Sequence, residues 1–216
     1  MKMKNLALSL LVLSSISLAA QNDSSKVKNG NVVEYTADNH IRSLIEYKDG
    51  KKEGIGLFFT NQGLLVIEEH YHDGKKSGPH RQYENYGRLR EEGTYLNGKV
   101  HGIYIKYYEN GNLQERATYS EGIKDGVCTW YYADGKPVTE YTYVKGDLNG
   151  EAKTFYKESG AIKGLFTYEN NEKEGAYREF YENGKIKLEG NYKKGKKKGS
   201  WKTYSPEGEL EKTEKF

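Results

Sequence analysis

The side chains best suited to hold a metal are His70 and His72, which flank Tyr71. Two residues apart on a strand, both rings would share a face, and Glu68, Glu69 or Asp73 would have to complete the set. No metal-ligand motif recurs, so the pair reads as a polar strand end beside a turn, and no metal site is expected. Cys128 is the only cysteine, which excludes an intramolecular disulfide and a multi-cysteine metal site. Its neighbours Val127, Thr129 and Trp130 point to a strand interior, where a thiol acts as a small hydrophobe. No nucleophile elbow, phosphate-cradling loop or dinucleotide fingerprint occurs, so no catalytic residue, no cofactor and no enzyme are expected. The remaining candidate is a run of five lysines, Lys193, Lys194, Lys196, Lys197 and Lys198, around one turn. It could contact an acidic membrane surface or polyanion, or it could be a solvated turn that discourages edge pairing.

These residues are carried on a repeat. Tyr47, Tyr71, Tyr95, Tyr119, Tyr143, Tyr168 and Tyr192 recur at intervals of 24, 24, 24, 24, 25 and 24 residues. Seven places after each stands Gly54, Gly78, Gly102, Gly126, Gly150, Gly175 or Gly199. A second glycine column runs through Gly63, Gly87, Gly111, Gly135, Gly184 and Gly208, with Gly160 displaced by the extra residue of repeat five. A third follows each Tyr by three, at Gly50, Gly74, Gly98, Gly122, Gly146 and Gly195, with Asn171 in repeat six. Asn is the residue that best replaces Gly at positive φ, so this slot is expected to be a hairpin turn. Leu65, Leu89, Leu113, Pro137, Ile162, Ile186 and Leu210 alternate with polar residues toward the Tyr column, as in a strand with one packed and one wet face. Pro137 lacks an amide donor and is expected to weaken the ladder locally. A second aromatic column, Phe59, Tyr83, Tyr107, Tyr131, Phe155, Phe180 and Tyr204, lies on the other strand. The expected architecture is all-β, an elongated antiparallel meander of about 15 strands and on the order of 70 Å. Rings would stack between neighbouring repeats and polar strands would cap the ends.

Composition agrees with such a sheet. Hydrophobic residues make 35% of the 216 and charged ones 30%, while 20 Tyr, 6 Phe and 2 Trp replace the missing aliphatics. At the N-terminus, Lys2 and Lys4 precede an apolar run from Leu6 to Leu18 and then Ala19, Ala20 and Gln21. That pattern is expected to be a signal peptide over residues 1–20. A polar leader, 21–31, and the repeat domain, 32–216, would follow, with a half-repeat at its start. Removing the two lysines takes the net charge from +3 to +1 (3 − 2), which argues against nucleic-acid binding. The expected location is outside the cytoplasm, periplasmic, on the outer surface or secreted.

The string Tyr95-Leu-Asn-Gly98-Lys-Val-His-Gly102 followed by Tyr107-Tyr-Glu-Asn-Gly111 resembles the MORN-repeat variant of bacterial YwqK-type proteins, over residues 35–216. The resemblance implies tandem β-hairpins. Proteins of that type are commonly labelled antitoxins, and MORN repeats at large are linked to membrane lipids and scaffolding. The functional expectation is a non-catalytic module that binds a protein partner, with an antitoxin-like inhibitor or an envelope-lipid binder as alternatives.

Overall fold

The computed structural model describes residues 29–216; the segment read as a signal peptide lies outside them, as do residues 21–28 of the leader. The strands are β1 (Asn29–Tyr35), β2 (Ile41–Lys48), β3 (Lys51–Phe59), β4 (Leu65–His72), β5 (Lys75–Tyr83), β6 (Leu89–Leu96), β7 (Lys99–Val100), β8 (Gly102–Tyr107) and β9 (Leu113–Ser120). They continue as β10 (Ile123–Tyr131), β11 (Pro137–Val144), β12 (Asp147–Phe155), β13 (Ile162–Glu169), β14 (Glu172–Phe180), β15 (Ile186–Lys193), β16 (Lys196–Tyr204) and β17 (Leu210–Lys215). Each pairs antiparallel with its predecessor, β7 and β8 being one strand interrupted at His101, so the 17 strands form a single open meander. β1 begins at Asn29, which puts residues 29–31 of the expected leader inside the sheet.

Two kinds of turn alternate. The tight turns place two residues at positive φ, as at Asp49 (50°) and Gly50 (76°), which is the geometry whose twist matches a hairpin. Asn171 takes φ 68° in the slot where the other repeats have Gly. The preceding slot also needs positive φ, and there Glu121, Lys145 and Lys194 sit at 51°, 50° and 49°. A left-handed conformation costs such residues roughly 1–2 kcal/mol, and Asn less. Replacing all three by Asn is therefore expected to raise stability by about 1–2 kcal/mol in urea titration; a loss would mean their side chains stabilise the turns. The wider turns close with bonds such as Gly63 N–H to the Thr60 carbonyl, 2.9 Å, and repeat five absorbs its extra residue there, between Tyr156 and Ala161.

The glycines of the column at Gly54 are bulge residues. Ile45 pairs with Gly56 and Tyr47 with Lys52, so Glu53, Gly54 and Ile55 together oppose Glu46. The same shift recurs opposite Glu69–Tyr71, Tyr141–Tyr143 and Phe166–Tyr168. Gly150 shows why Gly is required: its φ is 124°, and a Cβ there would lie 3.0 Å from Thr142 Cβ.

A second shift, at the other end of every hairpin, corrects two expectations. Leu65 pairs with Phe59 while Ile67 pairs with Phe58, so one residue of β4 is unpaired and the alternation is reset. Directly paired residues share a face; the Leu65 column thus joins the Phe59 column, on the side opposite the tyrosines. Neither face is purely wet. Pro137 pairs with Tyr131 through the same shift that Leu65, Leu89 and Leu113 show, so it introduces no irregularity of its own. It is the first residue of β11, a position where no ladder bond is lost.

Candidate functional site

The face that carries the tyrosines is the best-defined surface of the molecule. Every member of the Tyr47 column is buried or half-buried, although the sheet is one layer deep and its strands contact chiefly their neighbours. Burial comes from the two positions beside each Tyr. One lies two residues after the bulge glycine, at Gly56, His80, Tyr104, Cys128, Ala152, Tyr177 and Trp201; the other lies two before each Tyr. Across the ladder these pair as Gly56 with Glu69, His80 with Gly93, Tyr104 with Ala117, Cys128 with Tyr141, Ala152 with Phe166 and Tyr177 with Gly190. In most of these pairs one partner is small. A large side chain on one strand is thus set against a small residue on the next, while the residue types change from repeat to repeat, and the result is a spine packed from one layer.

Rings run along this spine. Trp130 meets Tyr141 at 5.9 Å, Tyr141 meets Tyr168 at 6.1 Å, and Phe166 links Tyr168 to Tyr177 at 5.7 Å each. Tyr177, Tyr192 and Phe216 all pack on Trp201, at 5.5, 5.0 and 6.3 Å. Trp201 is 1% exposed, yet its Nε1 has no hydrogen-bond partner, so packing alone holds it. Cys128 is fully buried and burial raises its thiol, as suits a small hydrophobe.

Over the rings lies a lysine column that the sequence reading missed. It occupies the position five after each Tyr, paired across the tight hairpin: Lys52, Lys76, Lys124, Lys173 and Lys197, with Val100 and Leu148 in the other two repeats. Lys52 Nζ stands 4.9 Å from the Tyr71 centroid, Lys76 5.3 Å from Tyr95, and Lys124 4.5 Å from Trp130. Lys173 covers Phe166, Tyr177 and Tyr192, and Lys197 covers Trp201 at 4.3 Å. The carbonyls of this column also tie the turns together: Lys52 accepts from Gly74 N–H, Lys76 from Gly98 and Lys173 from Gly195.

One charged cluster is built into the spine. Glu69, 4% exposed, accepts hydrogen bonds from Lys76 and from Tyr71 Oη (2.5 Å), and His80 Nδ1 approaches to 3.4 Å without a directed bond. Burial pushes the Glu69 carboxyl up, but the contacts from His80, Lys76 and Tyr71 outweigh it and bring it down to about 2. A folded-state value below the free value of 4.5 means stability that is present above pH 4.5 and lost as pH falls toward 2. Glu69→Gln is therefore expected to cost on the order of 1–3 kcal/mol at pH 7 and to flatten the stability profile between pH 4.5 and 2. An unchanged profile in urea titrations would show that Glu69 is not the group responsible.

The five lysines of the expected anionic patch do not act together. Lys197 lies over Trp201 and Phe216 on the ring face, and Lys193 pairs with Glu174 at 3.4 Å. Lys194 caps through its backbone N–H, which donates to Glu174 Oε2 at 2.7 Å. Lys194, Lys196 and Lys198 remain exposed, with no ion pair among the described residues. His70 and His72 also separate: His70 Nδ1 lies 3.1 Å from the Pro79 carbonyl, and His72 Nδ1 lies 3.0 Å from Glu53 Oε1. Among the described residues no cluster of three His, Cys, Asp or Glu side chains is placed to hold a metal, and no helix is long and apolar enough to cross a membrane.

A single sheet of in-phase hairpins, with rings and cations on one face, defines a β-hairpin repeat protein of the binding-module kind. The family model described as "MORN repeat variant" matches residues 100–121, 124–145 and 173–194. All three matches keep one phase, starting in the column five after Tyr and ending on the first residue of the next tight turn. Among curated proteins no relative matches the sequence. Among solved structures, the chain is similar to a mutant of S. aureus TarM in complex with fondaparinux, alpha-GlcNAc-glycerol and UDP. The two are 14% identical over 44% of this chain and 19% of that one, with a TM-score of 0.31. A second TarM structure is 12% identical over 68% and 22%, with a TM-score of 0.26. Alternansucrase in complex with isomaltononaose is 16% identical over 84% and 16%, with a TM-score of 0.21. The chain spans less than a quarter of the length of each.

Proposed function

We propose that the chain is an exported, non-catalytic binding module that receives a protein partner on its ring-and-lysine face. The observation that carries this reading is the lysine column over the aromatic spine. Five ammonium groups stand on one face of a single layer, over rings that are buried or half-buried beneath them. Aromatic residues are enriched at interface centres and lysines are not, so the ammonium heads suit the polar part of a contact with a partner offering carboxylates. Export is supported by the basic, apolar and small-residue order of residues 1–20. An inhibitor of a toxin would use the same face and differ only in the partner's identity.

The test places a photo-crosslinking residue at Lys52 or Lys173, on the ring face, and at Arg178, on the other, in cells of the source. Adducts to one protein from the first two positions, reduced by Lys173→Glu with Lys197→Glu, are expected. Equal adducts from both faces, or none, would overturn the assignment. The exposed Lys194, Lys196 and Lys198 favour a second reading, adhesion to anionic lipid. Flotation with phosphatidylglycerol vesicles that is unchanged when the five lysines become Gln removes it.

A further inference from the structure

The face opposite the rings carries a row of charges paired across the ladder, and one cation of that row has no opposing acid. The register sets Arg81 between Glu68 and Glu92, Lys153 against Glu140, and both Arg178 and Lys202 against Glu189. Ion pairs follow it: Arg81 reaches Glu68 at 3.4 Å and Glu92 at 3.7 Å, and Lys153 reaches Glu140 at 2.9 Å. The aromatic column beside the row meets the same acids. Tyr107 Oη donates to Glu92 and Tyr204 Oη to Glu189, both at 2.7 Å, each acid standing 15 residues before its tyrosine. Where that earlier residue is Leu44 or Leu165, the ring is Phe59 or Phe180, without a hydroxyl.

Tyr131 breaks the rule. The residue at the same distance before it is Arg116. Arg116 pairs with Ile105 on one side and Thr129 on the other, so no carboxylate opposes the guanidinium. It is half-buried and makes no ion pair among the described residues, and Tyr131 Oη has no hydrogen-bond partner among them. Thr129 turns its hydroxyl to Glu140 instead, at 3.4 Å. A guanidinium drawn partly out of water without a counter-charge is costly. A fork of donors beside a free phenol is an arrangement that a carboxylate completes. The surface around it is apolar: Ile103 and Val127, on the strands to either side, are 44% and 39% exposed.

We propose that Arg116 and Tyr131 receive the carboxylate of an acidic side chain from a second polypeptide, whose apolar neighbours rest on Ile103 and Val127. The charge that is missing from the row names the acid. The exposed aliphatic side chains on both sides of it call for apolar groups flanking that acid, as a polypeptide supplies and a lone anion does not. Arginine ringed by apolar contacts is also a common anchor of protein interfaces. The contact lies on the face away from the lysine column, so it stands or falls apart from the ring-face reading.

The test titrates the purified chain with two blocked tripeptides, leucine-glutamate-leucine and its glutamine counterpart, at constant ionic strength. NMR follows the arginine Nε–H signals and the Val127 amide. The Arg116 signal is expected to shift saturably with the glutamate peptide, in the millimolar range, and the glutamine peptide should bind about tenfold more weakly. Arg178, on the same face but opposite Glu189, is the control and should shift little. Read at Val127, Tyr131→Phe should weaken binding about threefold. Arg116→Lys, which keeps the charge and loses the fork, should weaken it about tenfold. Isovalerate, a free branched acid, should bind more weakly than the peptide. The wild-type comparisons decide the matter even if a variant fails to fold. A shift linear in peptide concentration, equal responses at Arg116 and Arg178, equal binding of the two peptides, or isovalerate binding as tightly as the glutamate peptide would each overturn the proposal.

Discussion

Trp201→Ala is expected to be the most damaging single substitution in the sheet, costing about 3–5 kcal/mol. The indole is almost wholly buried and packs against Tyr177, Tyr192 and Phe216, with Lys197 above it. No second layer can move in to fill the space it leaves. Because its Nε1 makes no hydrogen bond, Trp201→Phe should cost well under half as much, the loss being of contact area alone. Contacts run between neighbouring strands, so protection against amide exchange should fall in β14–β17 and persist in β2–β6. Uniform loss along the chain would show that the repeats unfold as one unit.

The second large effect is expected at Gly93. A Cβ there would overlap the Tyr104 ring, which lies across the strand backbone at a place where Ile45, Glu69, Ala117, Tyr141 and Phe166 carry a side chain and Gly190 lies under Trp201 in the same way. Gly93→Val should cost about 1–3 kcal/mol or more by overpacking. Tyr104→Ala alone leaves a cavity and should cost a similar amount or more. The pair together should cost less than the sum of the two, because the added Val occupies what the ring vacates. Additive penalties in a double-mutant cycle would mean that the two positions do not share one space.

The parts of this fold that were legible in the sequence are those fixed by backbone conformation. Positive φ leaves few residue choices, so Gly50, Asn171 and Gly63 stand in columns and reveal the turns directly. The Tyr47 column was legible for a similar reason, since one ring per repeat is needed at one place. The spine beside it was not, because Gly56, His80, Cys128 and Trp201 share a position and no chemistry; what recurs is a large residue set against a small one across two strands. The lysine column escaped notice because Val100 and Leu148 interrupt it. The faces are hidden from the sequence for a third reason: alternation breaks at the Leu65–Ile67 shift, where the ladder skips a residue. The run at Lys193–Lys198 is one patch in sequence and not in space, because a hairpin distributes its residues between two faces and a turn.

Everything here rests on hairpins that stack in phase, each stabilised by its neighbours. The most direct test removes residues 99–122, one full period inside the sheet, and follows urea unfolding. The shortened chain is expected to remain folded and β-rich, with a denaturant slope smaller by about one-eighth, since that slope scales with the surface exposed on unfolding. Removing half a period, residues 99–110, should abolish folding, because it would set Tyr and Leu columns against the wrong partners. A full-period deletion that unfolds the protein, or a half-period deletion that it tolerates, would contradict the account.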